Sequence, residues 1–155
     1  MGWNPHGPQN YRKMDLLVNK FVLIGFAMNL VVGAACAVPA TVTYFVDGDS
    51  FYANVMLDSD IRVRTSVRII GIDTPEINGA CKSEIDGAKR AKERLSKLLP
   101  LDSVVELTDI KDDKYLGRID AVVKLSDGSD VGKILIKEKL ARGYKGGKRK
   151  SWCPK

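Results

Sequence analysis

The sequence predicts a mainly β fold with helices (α+β), built as a five-stranded Greek-key barrel with about two to three helices. Three observations predict it. From residue 41 onward, polar and apolar residues alternate at period two in several short runs. Turn-forming residues separate those runs, among them Asp47-Gly48, Asp58-Ser59-Asp60 and the SDGS at 126–129. Two longer stretches carry helical periodicity instead, one after the third run and one after the fifth.

Residues 1–37 stand apart from the fold. MGWNPHGPQNYRK resembles no structural element, and Met14 is a plausible initiator behind an over-long start. Lys20, the apolar run from Phe21 and the small residues Ala35-Cys36-Ala37 form a signal peptide with an A-x-A site, so that the mature chain starts near Val38. Two alternatives stay open: an uncleaved membrane anchor over 21–40, and a lipoprotein cysteine at Cys36, against which Gly33 speaks. All three export the domain at 38–155 to the periplasm or the medium, with the membrane touched only through the N-terminal segment.

The mature chain opens with strands over 41–46 and 50–57, joined at Asp47-Gly48. Phe51, Ala53, Val55 and Leu57 line one face of the second strand. A third strand covers 61–72, followed by the loop DTPEINGACK, where Pro75 and Gly79 break regular structure. A helix runs over 83–99, with Ser83 as cap, Asp86 three residues on, and Ile85, Ala88, Leu95, Leu98 and Leu99 as its apolar stripe. Its charged face, Lys89 to Lys97, reads as solvated. Pro100 stops it. Strands four and five cover 104–110 and 118–125, linked by KDDKYLG, and a second helix over 130–141 is capped by Asp130. The basic tail RGYKGGKRKSWCPK carries Tyr144 and Trp152. Strands and helices in this order match an OB-type barrel.

With 155 residues, 45% hydrophobic and 28% charged, the chain has the length and composition of one globular domain. The formal charge is +6; losing Arg12, Lys13, Lys20 and Asp15 with the leader leaves +4. A positive excess suits a polyanion such as nucleic acid. The single histidine, His6, also lies in the leader. The mature chain therefore has no Ser-His-Asp or Cys-His catalysis and no histidine base. Cys81 and Cys153 remain; an even count in an exported chain points to one disulfide, the alternative being two free thiols.

Hydrolysing a phosphodiester without histidine calls for a hard cation held by oxygen ligands, a carboxylate for the attacking water, and arginines for the phosphate oxygens. Asp49, Asp73, Glu76, Arg68 and Arg118 supply that inventory. Here FVDGDSF, VRIIGIDTPE, DKYLGR and GYKGGKRKSWC together resemble the signature stretches of the staphylococcal nuclease (thermonuclease) family, across residues 41–153. The resemblance implies calcium-dependent hydrolysis of DNA and RNA that leaves 3′-phosphate ends. It implies Asp49, Asp73 and the Thr74 carbonyl as calcium ligands, Glu76 as the residue activating water, and Arg68 and Arg118 as the phosphate grip. It also places Lys114 and Tyr115 at the nucleotide phosphate. Tyr144, with the basic tail, completes the expected substrate contacts. The expected partner is nucleic acid, single-stranded for preference and sequence-tolerant, bound by a monomer.

Three departures qualify the match. Leu116 is inserted into the usual DKYGR, which threatens the position of Tyr115 or Arg118 unless Gly117 absorbs it. Ser50 replaces a threonine. Arg68 and Asp73, five apart, fall on opposite faces of a straight strand; the family has the same spacing, and the resemblance implies a bend near Gly71. Two rival readings remain: a non-catalytic OB-fold module that only binds nucleic acid, and an envelope scaffold that reuses the fold.

Overall fold

A computed structural model describes residues 37–154; the expected extension, leader and Cys36 lie outside the described residues. Five strands close a barrel in the order β1-β2-β3-β6-β5, and β5 returns to β1. They are β1 (Val38–Phe45), β2 (Ser50–Met56), β3 (Arg62–Ile69), β5 (Val104–Asp112) and β6 (Arg118–Lys124). A two-residue strand β4 (Ile72–Asp73) pairs with β7 (Arg142–Gly143) outside the barrel. Two helices accompany them among the described residues, α1 (Lys82–Leu98) and α2 (Val131–Lys137). Neither is long and apolar enough to cross a membrane. The predicted OB-type α+β barrel is the observed architecture.

Alternation along the strands fills the barrel. Val42 of β1, Phe51 and Ala53 of β2, Val67 of β3, Leu107 of β5 and Val123 of β6 are fully buried. Leu95 and Leu99 from α1 and Val131 and Leu135 from α2 join the same core. Each such side chain contributes about 1.5–3 kcal/mol relative to leaving it in water. Leu57 does not belong to this face: it lies past the end of β2 and is 63% exposed. The pairing Met56–Arg62 ends there and the chain turns through 57–61.

Other boundaries differ from the sequence reading for local reasons. The third strand stops at Ile69 because Gly71 adopts φ +79°, a left-handed conformation that turns the chain before β4. That is the bend required between Arg68 and Asp73. Ser83 is not the cap of α1; Cys81 holds that position without a side-chain cap bond. The disulfide fixes Cys81 there, and the next residue already starts the helix. Asp130 does cap α2, accepting a hydrogen bond from Lys133 N at 3.0 Å. However, α2 ends at Lys137, four residues short of the expected 141, because Lys139 turns left-handed at φ 60°. Cys81 and Cys153 are bonded to each other across 72 residues of sequence. Closing a loop of that length stabilises the fold by about 4 kcal/mol in the chain-entropy account.

Candidate functional site

One end of β2 and β3 gathers the candidate residues. The β1–β2 loop closes through Val46 N and Asp47 N, both donating to the Ser50 carbonyl, and Asp47 Oδ1 accepts from Asp49 N at 3.1 Å. Asp47 thus shapes the turn, and Asp49 turns inward. Gly48 is required by proximity, not by its dihedral angles: a Cβ there would lie 2.6 Å from the Cβ of Ala91 on α1.

Asp49 is 2% exposed. Its Oδ1 accepts from Arg68 Nη1 and Ser50 Oγ, each at 2.9 Å, and its Oδ2 accepts from Thr74 N at 3.3 Å. Burial raises its pKa to about 6, against the opposing pull of Arg68. The substitution of serine for threonine at position 50 keeps the hydroxyl on the carboxylate. Arg68 stands opposite Ser50 of β2 and Asp120 of β6, the latter across the one parallel pairing of the barrel.

Asp73, 1% exposed, sits opposite Arg142 in the β4–β7 pair, which explains why that arginine reaches it. Arg142 Nε donates to Asp73 Oδ2 at 2.9 Å, and Trp152 Nε1 donates to the same oxygen at 3.0 Å. Arg149 Nε donates to Asp73 Oδ1, Arg149 Nη1 to Glu76 Oε1, and Arg149 Nη2 to the Thr74 carbonyl at 2.9 Å. Three oxygens assigned by resemblance to cation binding and water activation therefore meet on one guanidinium. Asp49 contacts Thr74 from the other side.

Above these residues lies an open cleft of about 690 Å³, whose walls include Arg68, Glu76, Lys114, Tyr115, Arg118 and Tyr144. The inserted Leu116 projects fully into solvent, and Gly117 absorbs the extra residue at φ +78° in a turn closed by Arg118 N and the Tyr115 carbonyl at 3.2 Å. Neither neighbour is displaced from the cleft. Arg118 stacks 4.6 Å from the Tyr115 ring centre, and Lys114 Nζ lies 4.9 Å from it. Tyr144 donates its hydroxyl to Gly147 O at 2.7 Å and so also shapes the tail.

Arg118 is oriented by Asp113, which accepts from its Nε at 2.8 Å. Burial works to raise the Asp113 pKa, but bonds from Tyr115 N and Arg118 outweigh it and hold the carboxyl low. Burial first, and then Asp113 beside it, push Asp120 above the ordinary carboxylate range.

Arg142, Arg149, Trp152, Asp113 and Asp120 were not singled out by the sequence. From sequence the basic tail reads as a draw for the polyanion, with no contact for Arg142 or Arg149, yet Cys153 carried the missing signal. A bridge from Cys153 to Cys81 brings Arg149 and Trp152 over the loop at 73–76. Among the described residues, the cluster of three acid or sulfur ligand groups within 4.8 Å is Cys81, Glu84 and Cys153, whose two sulfurs are bonded to each other. Asp49, Asp73 and Glu76 do not close into such a cluster. Their donor set nonetheless fits calcium: hard oxygens from carboxylates and a backbone carbonyl, with Arg149 standing in as the positive charge on three of them.

Buried carboxylates beneath an arginine-lined cleft make this chain a small OB-type barrel protein with a highly charged site at one end. Within that class, the model of the staphylococcal nuclease homologues matches residues 66–152, and the chain belongs to that family. Among curated proteins, no individual sequence matches it significantly.

Proposed function

We propose that this protein is an exported, calcium-dependent nuclease that hydrolyses phosphodiester bonds of DNA and RNA and leaves 3′-phosphate ends. The observation that carries the reading is the convergence of Arg68, Arg118 and Glu76 on one cleft, with the oxygens of Asp49, Asp73 and Thr74 beneath it. Arg68 and Arg118 enter from different strands and grip the non-bridging oxygens of one phosphate, with Asp49 and Asp113 fixing the two guanidinium planes. Glu76 orients the attacking water and takes its proton; water adds to phosphorus, the bond to the 5′ oxygen breaks, and that oxygen takes a proton from solvent to leave as a hydroxyl while Glu76 returns its own proton to solvent. Calcium held by Asp49, Asp73 and the Thr74 carbonyl would supply charge neutralisation and polarise the phosphate oxygen.

Tyr115, Lys114 and Tyr144 offer stacking and charge without base-edge readout, which supports a sequence-tolerant preference for single strands. The Cys81–Cys153 bridge supports an oxidising compartment, hence export through the segment at 1–37. A monomer suffices, because one chain supplies every group named.

The test is cleavage of single-stranded DNA by the purified protein, with calcium and then with excess chelator. Cleavage requires calcium, and Glu76→Gln lowers its rate by about 10²–10⁴-fold while binding persists. Binding without cleavage across a range of divalent ions would mark a non-catalytic OB module instead.

A further inference from the structure

Arg149 is held in place from both sides. On one side, Arg142 donates from Nη1 to the Ser151 carbonyl at 3.1 Å and from Nη2 to the Lys150 carbonyl, while its guanidinium stacks 4.1 Å from the Trp152 ring centre. On the other, Gly146 and Gly147 turn the chain back with φ +91° and +88°, and Tyr144 closes that turn. Cys153 then fastens the end to Cys81. These anchors leave the Arg149 side chain pointing at Asp73, Thr74 and Glu76, where its three nitrogens meet three oxygens from within one four-residue stretch of the loop. The guanidinium fork suits that arrangement, since it spreads one charge over donors in a plane.

We propose that Arg149 is a tethered competitor for the cation site, and that it sets how tightly the site holds a divalent ion. This inference rests on the calcium site proposed above. A guanidinium and a divalent ion compete for Asp73 Oδ1 and the Thr74 carbonyl: both are drawn to the same oxygens, and like charges at contact distance repel. An incoming ion must therefore displace Arg149, and its apparent affinity falls by the stability of the contacts it breaks. The displaced side chain has somewhere to go. Arg149 already borders the cleft with Arg68 and Arg118, so rotation outward carries its charge toward the bound phosphate. Ion binding and substrate binding are thereby coupled through one arginine. The ion frees the guanidinium, and the phosphate accepts it.

Calcium titration of the full chain by calorimetry tests this, with terbium luminescence sensitised by Trp152 as a second readout independent of cleavage. Arg149→Ala and the uncharged, size-conserving Arg149→Gln are each expected to bind calcium at least tenfold more tightly than the wild type. Thermal melts in chelator show whether each variant is folded, and Arg149→Gln decides if Arg149→Ala is not. Unchanged or weaker affinity, with calcium-dependent cleavage intact in the wild type, overturns this inference alone. Failure of wild type and variants alike to bind calcium overturns it together with the calcium reading of the site.

Discussion

A methyl group at position 48 would stand 2.6 Å from the Cβ of Ala91 and 3.1 Å from the Thr74 side chain. Gly48 therefore sets the distance between the β1–β2 loop and α1, and with it the depth at which Asp49 sits. Gly48→Ala is expected to lower stability by about 1–3 kcal/mol, the usual cost of forcing volume into a packed contact. Urea denaturation reads the loss, and Ala91→Gly in the same chain should return part of it by removing the opposing methyl. The Asp-Gly pair was legible as a turn, and a turn it is. Its glycine was legible only for the wrong reason. Local sequence records conformational preference, whereas the approach of Ala91 from a helix distant in sequence leaves no mark on the hairpin. The same limit hid Arg149, a residue whose importance comes wholly from what the fold brings opposite it.

Elements show where periodicity succeeds and where one residue overrides it. The strand pattern located all five barrel strands, since burial on one face imposes alternation wherever the sheet is covered. It overran past Ile69, the last core side chain of β3, because the left-handed Gly71 turns the chain two residues later. The helix signal located α1 and α2, the Asp130 cap and the stop of α1 before Pro100, but not the cap of α1 at Cys81 or the early end of α2 before Lys139. The turn at 115–118 gives the clearest test. Gly117 adopts φ +78°, and Arg118 follows it directly into β6. Gly117→Ala should cost about 1 kcal/mol from the left-handed backbone and reduce cleavage by moving Arg118. By contrast, Leu116→Ser should change stability by no more than about 0.5 kcal/mol, because that side chain touches only solvent. Thermal melts and cleavage rates on the two variants separate these outcomes.

For the whole molecule, the site is an assembly of distant segments. Asp49 comes from the first hairpin, Arg68 and Asp73 from either side of the Gly71 bend, Arg118 from β6, and Arg149 from the tail. Barrel closure brings the first four together, and the bridge at Cys153 adds the fifth. The motif residues are legible because each stands in a short recognisable stretch, and the paired cysteines place the tail beside the loop after the third strand; which tail side chains meet Asp73, Thr74 and Glu76 is not legible. That bridge has a further consequence for survival among proteases. Residues 81–153 form a covalent ring that contains the exposed turn at Leu116 and the turn at 126–129. A single peptide-bond cut in either turn leaves both fragments joined, whereas a cut in the 57–61 turn lies outside the ring and severs the chain. Limited proteolysis followed by gels with and without reductant should therefore show nicked protein running as one band until the bridge is reduced. A chain built this way can be cut at these exposed turns and still keep its parts together.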